Sequence, residues 1–169
     1  MDKDRIVRVA LLGFGTIGSS VYRVIQEEHD QILEATGVDL QVAKVVEVDK
    51  GKFPTDAPKG VFVSDFSEVL GDSSLEIVVE VIGGTTVAFD LVDAAMRGGK
   101  DVVTANKQLL ASRGEALFTL AREQKRHLRF EASVAGAVPI IKVMRESMIA
   151  AGLHTVYGIV NGTTNYILS

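Results

Sequence analysis

Gly13-Phe14-Gly15-Thr16-Ile17-Gly18 is a GxGxxG run set between two stretches of different periodicity. Before it, residues 6–12 are almost continuously apolar, the pattern of a strand buried on both faces of a parallel sheet. After it, Val21, Tyr22, Val24, Ile25, Ile32 and Leu33 recur at roughly helical spacing across residues 19–35. Gln26, Glu27, Glu28 and Asp30 form a solvated stretch there, and Gly37 ends the helix. Three glycines spaced in this way between a strand and a helix suit a dinucleotide pyrophosphate. Gly13 permits the tight turn, Gly15 lets backbone N–H groups approach the phosphates, and Gly18 lets helix and strand pack closely. The helix N-terminus favours the negative charge.

Outward from this loop the alternation continues. Residues 40–48 read as the second strand, and 51–60, holding all but one of the prolines, as a loop. A short strand at 60–63, a helical turn at 66–70 and a very apolar strand at 76–82 follow. Helices are expected at 89–97, at 111–125 (with Leu117, Phe118, Leu120 and Ala121 inward) and at 138–150, with strands at 101–104 and 128–132. This is βαβ logic, and it predicts an α/β domain over residues 1–150: a doubly wound, Rossmann-type parallel sheet. Residues 153–160 read as a further strand, and Asn161-Gly162-Thr163-Thr164 as a turn capping a helix cut off at Ser169. We therefore expect residues 151–169 to start a second domain, with more protein following. An apolar strand there without neighbours is an aggregation risk unless a second chain pairs with it.

The 169 residues carry 18 Lys+Arg against 22 Asp+Glu, a formal charge of -4, and 47% are hydrophobic. That apolar fraction supports a real core and excludes intrinsic disorder. The mild acidity disfavours a nucleic-acid partner. Without cysteine there is no disulfide framework, zinc ribbon or thiol nucleophile. Charged residues 1–5 lead into an apolar run too short for a signal peptide or a membrane span, so we expect a cytoplasmic protein without membrane contact.

Several side chains stand where chemistry is expected. Asp49 lies at the expected end of the second strand, placed to bond the ribose hydroxyls of NAD, although it is farther from the glycine motif than usual; Glu47 is the rival acid. Lys50 or Lys52 would instead meet the 2′-phosphate of NADP. Gly83, Gly84 and Thr85 follow the most apolar strand, so they should face the cofactor; the plainer reading is a turn with a threonine N-cap. Lys107, ending Thr104-Ala105-Asn106-Lys107, would bring a cation to the same rim, or simply face solvent. Glu131 falls inside the last apolar strand, where an unpaired carboxylate is costly. A cation shared with carbonyls of the 133–138 loop would satisfy it; the alternatives are an arginine such as Arg129 or Arg145, or an outward-facing strand end. His29, His127 and His154 have no ligand spacing and read as surface residues.

Five ordered blocks together are more specific than the glycine motif. They are Val9 to Gly18, Val79-Glu80-Val81-Ile82-Gly83-Gly84, Val102-Val103-Thr104-Ala105-Asn106-Lys107, Phe130 to Ile141, and Gly158 to Leu168. With them the chain resembles the amino-terminal, nucleotide-binding part of the homoserine dehydrogenases over nearly its whole length. The resemblance implies NAD(P)-dependent interconversion of L-homoserine and L-aspartate 4-semialdehyde, a step toward threonine and methionine, by a homodimer. It further implies cofactor contacts from Phe14, Thr16 and Ile17, and a Lys107 beside cofactor and substrate. Glu131 with the backbone of Val134, Gly136 and Val138 falls where the family binds a sodium ion. Residues 151–169 would begin the substrate and dimerisation domain, with the family's substrate-gripping acids and general-acid lysine beyond Ser169, so the chain alone should bind cofactor with little or no turnover. Many relatives carry a basic residue where this chain has Val48, and Ala137 replaces a glycine. A non-enzymatic NAD(H)-sensing module is the alternative, although a sensor has no evident need for the Thr104–Lys107 and Asn161–Asn165 blocks.

Overall fold

A computed structural model describes residues 5–158. Its elements are β1 (Arg5–Leu12), α1 (Thr16–Glu27), α2 (His29–Thr36), β2 (Val38–Val46), β3 (Phe62–Val63), α3 (Ser67–Leu70), β4 (Leu75–Glu80), α4 (Thr86–Arg97), β5 (Asp101–Thr104), α5 (Lys107–Gln124), β6 (Leu128–Arg129) and α6 (Ile140–Lys142). The six strands form one sheet in the order β3-β2-β1-β4-β5-β6, and every pairing is parallel. This is the doubly wound, Rossmann-type order.

Helices cover both faces because both faces are apolar. On one, Ala10, Leu12, Val78 and Val102 pack with Val92 and Met96 of α4 and Leu117 and Leu120 of α5. On the other, Leu11, Val42 and Val45 meet Ile25 of α1. Each fully buried Val or Leu contributes about 1.5–3 kcal/mol relative to exposure, so the central strands anchor the domain.

The differences from expectation have local causes. The single helix at 19–35 is two helices, starting earlier at Thr16 and broken at Glu28, whose ψ of 17° departs from helix. The break places the His29 ring between Asp30 (3.0 Å) and Asp39 of β2 (2.9 Å), so His29 is half-buried and its pKa is raised by those carboxylates. His127 and His154 are exposed as expected. Helix α5 starts earlier than expected because the Asn106 side chain caps it, accepting from Leu109 N at 3.1 Å. Phe118 of α5 is not inward; it is 36% exposed and packs on Phe130.

Strand β6 stops at Arg129, so Glu131 is not inside a strand: residues Glu131–Ser133 form a 3-10 turn, held by Ser133 Oγ donating to Thr104 O at 2.9 Å. The helix at 138–150 is shorter. It comprises α6 and a wider π turn over Val143–Ser147, and a tight turn from Ala151 N to Met148 O closes it. Residues 153–158 carry no strand, which corrects the first part of that expectation; positions 159–160 and the 161–164 turn lie outside the described residues.

Candidate dinucleotide-binding site

The strand order reverses between β1 and β4, and ligands of such sheets bind in the crevice beyond the carboxyl ends at that point. The loops after β1, β4 and β5 meet there around a cleft of about 500 Å³ whose lining includes Ile17, Ile82, Gly83, Asn106, Lys107 and Ala132. Three stretches far apart in sequence, the glycine motif, the Gly83 turn and Lys107, are thus brought to one place.

The glycines of the motif differ in what surrounds them. Gly13 has φ 96°, and a Cβ there would come within 3.2 Å of the Ile82 side chain, so the β1 loop lies against the β4 loop. A Cβ on Gly18 would overlap the Gly13 carbonyl oxygen and lie 2.9 Å from its carbon. A Cβ on Gly15 would meet nothing within 4 Å. Next to that open space the first-turn N–H groups of Thr16 and Ile17, both exposed, have no intrahelical acceptor. This is the polarity and room a phosphate needs. Phe14 plays a different part: its ring packs edge-on against Phe62 (4.9 Å) and Tyr22 (5.8 Å), and its N–H is given to Glu47 Oε2 at 3.0 Å.

Glu47, just past β2, is 7% exposed. Its carboxylate accepts from Phe14 N, from Asp49 N (3.0 Å) and from Lys52 Nζ (3.2 Å). Burial pushes its pKa up, but the two N–H donors and the ammonium outweigh this and hold it below the usual range. The unfolded chain therefore takes up this proton first as pH falls. The stabilisation is complete above the ordinary value of about 4.5 and is lost as pH drops through the lower folded value. Glu47→Gln should cost about 1–3 kcal/mol at pH 7. It should also flatten the acid limb of a thermal-midpoint-against-pH profile, and an unchanged limb would show that this carboxylate carries no such linkage.

Asp49 is exposed and lies three residues past β2, because the strand ends at Val46. One of its oxygens accepts from Gly51 N at 3.0 Å, and it does not line the cleft. Lys50 is exposed. Thr85 stands at the N-cap of α4 without a side-chain cap bond, and Gly83 and Gly84 leave open space where a side chain would be.

Glu80, at the end of β4, is fully buried, and no sequence motif marks it as a chemical residue. Oε1 accepts from Ile82 N (3.0 Å), Gly83 N (3.3 Å) and Asn106 Nδ2 (3.4 Å), and Oε2 from Thr104 Oγ1. Asn106 Nδ2 also reaches Gly84 O at 2.7 Å. This network ties the β4 and β5 loops together. Its one sequence signal is a carboxylate directly following the apolar run Ile77-Val78-Val79.

The half-buried Glu131 accepts from Ile141 N (2.9 Å) and Lys142 N (2.8 Å), capping α6. Neither expected arginine pairs with it; Arg129 meets Glu146 at 3.3 Å. In the loop beyond, Ala135 and Ala137 have φ of 48° and 68°, a strained region for alanine. Among the described residues the carbonyls of Val134 and Gly136 accept no backbone hydrogen bond, while that of Val138 accepts from Ile140 N. No helix among the described residues is long and apolar enough to cross a membrane.

Residues 13–131 match the family model described as homoserine dehydrogenase, NAD binding domain, and residues 139–169 match one described as homoserine dehydrogenase. The homoserine dehydrogenase of Neisseria gonorrhoeae is 38% identical over 163 residues, covering 96% of this chain and 38% of that protein. That of Bacillus subtilis is 39% identical over 166 residues, covering 98% and 38%. The crystal structure of a homoserine dehydrogenase from Thiobacillus denitrificans superposes with a TM-score of 0.85 at 36% identity, over 98% of this chain and 38% of that one. The chain thus spans about 38% of the length of these relatives.

Proposed function

The chain belongs to the homoserine dehydrogenase family, and from that premise we propose that it forms the cofactor-holding part of an NAD(P)-dependent interconversion of L-homoserine and L-aspartate 4-semialdehyde. The observation that carries this reading is the cleft at the β1–β4 switch point, where the open N–H groups of the glycine motif, the side-chain-free Gly83 turn and Lys107 converge.

The residues fit a dinucleotide on their own chemistry. The N–H groups of Gly15, Thr16 and Ile17 bind the pyrophosphate, with Gly15 supplying the room. Gly83, with Gly84 and Thr85 beside it in the same turn, would make room for a flat ring, and Ile17 and Ile82 of the cleft lining would exclude water from it. When bound, a nicotinamide cofactor supplies the two-electron redox chemistry of an alcohol–aldehyde pair. Lys107, the first residue of α5, lines the cleft and would stand beside cofactor and substrate. The general acid that must protonate the carbonyl oxygen is assigned to the part of the family's sequence beyond the last block. The chain alone is therefore expected to bind cofactor and to give no NAD(P)H from homoserine in a spectrophotometric assay. Normal turnover by the chain would contradict this division of roles.

For the ribose, Asp49 supports NAD, since its carboxylate is exposed and Lys52 is drawn to Glu47. Tighter binding of NADPH than NADH would assign this contact to Lys50 instead. Glu131 with the backbone of Val134, Gly136 and Val138 is the proposed sodium set, on the strength of hard oxygen donors and two carbonyls open in that loop. Residues 1–150 are the cofactor domain and 151–169 the start of the substrate and dimerisation domain of a cytoplasmic homodimer.

A further inference from the structure

We propose that Glu80 is a specificity-determining residue for the redox state of the bound cofactor, a buried negative charge that makes the site prefer the oxidised nicotinamide to the reduced one. The inference rests on the cofactor reading above and adds to it a charge preference.

The hydrogen-bond network fixes the state of this carboxylate. Asn106 N donates to Thr104 Oγ1 at 3.0 Å, and the Thr104 hydroxyl in turn donates to Glu80 Oε2. Oε1 meets only N–H donors, from Ile82, Gly83 and Asn106. Every partner is a donor, and a group that only accepts is an ionised carboxylate. Each of those donors is neutral. Among the described residues the ion pairs of the chain involve other carboxylates, and none reaches Glu80. The negative charge is therefore buried and dispersed over dipoles rather than cancelled by a cation.

Its position gives that charge a use. Three of its four donor residues, Ile82, Gly83 and Asn106, are themselves walls of the cleft. The oxidised nicotinamide ring carries a positive charge and the reduced ring carries none. A ring in this cleft is separated from the Glu80 charge by one layer of protein, where screening is weak. Lys107 faces the same cleft with the opposite sign but is exposed, so water screens it more.

The test is calorimetric titration of the full chain with NAD+ and with NADH, read as the ratio of the two dissociation constants. Glu80→Gln keeps the shape and most of the network while removing the charge. It should shift the ratio toward NADH by on the order of tenfold, the scale on which one charge acts over roughly 10 Å at an effective dielectric of about 20. Thr104→Val removes one donor from the carboxylate while leaving Glu80 in place, so it should weaken both ligands through the shared network and move the ratio less than Glu80→Gln does. Lys107→Met, on an exposed first turn, should move the ratio the opposite way by at most a few-fold, and the preference of the unaltered chain for NAD+ over NADH keeps the test open if Glu80→Gln does not fold. Equal weakening of both ligands by Glu80→Gln would reduce Glu80 to a structural tie and overturn the proposal, as would tighter binding of NADH than of NAD+ by the unaltered chain. Failure of the unaltered chain to bind either form would instead overturn the cofactor reading itself.

Discussion

Gly18→Ala is expected to destabilise the domain by at least about 3 kcal/mol, the upper end for overpacking, lowering the thermal midpoint by roughly 6–12 °C. The added methyl would overlap the Gly13 carbonyl oxygen and lie 2.9 Å from the Gly13 carbon, with a Val81 methyl at 3.3 Å. The obstacle is backbone, so no rotamer change relieves it. Moving Gly13 would press it into Ile82 in the loop after β4 and would strain the bond from its N–H to Val46 O at 2.9 Å. Helix α1 would have to lift from β1, exposing the Ile25, Leu11, Val42 and Val45 cluster. A midpoint within 2 °C of the unaltered chain, by calorimetry or circular dichroism (about 0.5–1 kcal/mol), would show that the helix and strand do not approach as described.

Gly15→Ala makes the opposite prediction three residues away. Gly15 has φ -79° and a Cβ there would meet nothing within 4 Å, so alanine fits and the stability should hold to within about 0.5 kcal/mol. The methyl would instead occupy the space through which a phosphate reaches the N–H groups of Thr16 and Ile17. Losing two charge-assisted hydrogen bonds of about 1.5–3 kcal/mol each weakens NADH or NADPH binding by about 100-fold or more. Stability and binding are thus separated within one hexapeptide. Unchanged affinity in a folded Gly15→Ala would mean that the dinucleotide does not use this loop.

Much of this was legible because its signals are local. The apolar runs of β1 and β4, the glycine spacing and the Gly83–Gly84 turn are written in consecutive residues, and a parallel sheet with a switch point follows from alternating strands and helices. Lys107 could be placed on the rim because it follows a strand end. The parts that escaped depend on partners distant in sequence. Glu47 and Glu80 look like ordinary carboxylates until Phe14 N and Thr104 Oγ1 are brought beside them across neighbouring strands. Glu131 looked like a buried strand residue because its neighbours are apolar. Its role as a cap depends on Ile141 and Lys142 turning back toward it. The break at Glu28 has no glycine or proline to announce it; what marks it is the contact of His29 with Asp39.

The central claim is that this cleft is a nicotinamide-dinucleotide site, and the most direct measurement is a fluorescence titration of the folded 169-residue chain with NADH and with NADPH. Saturable binding of at least one, lost in Gly15→Ala, is the result this account predicts. Absence of saturable binding by a chain whose circular dichroism and melting show it folded would contradict it.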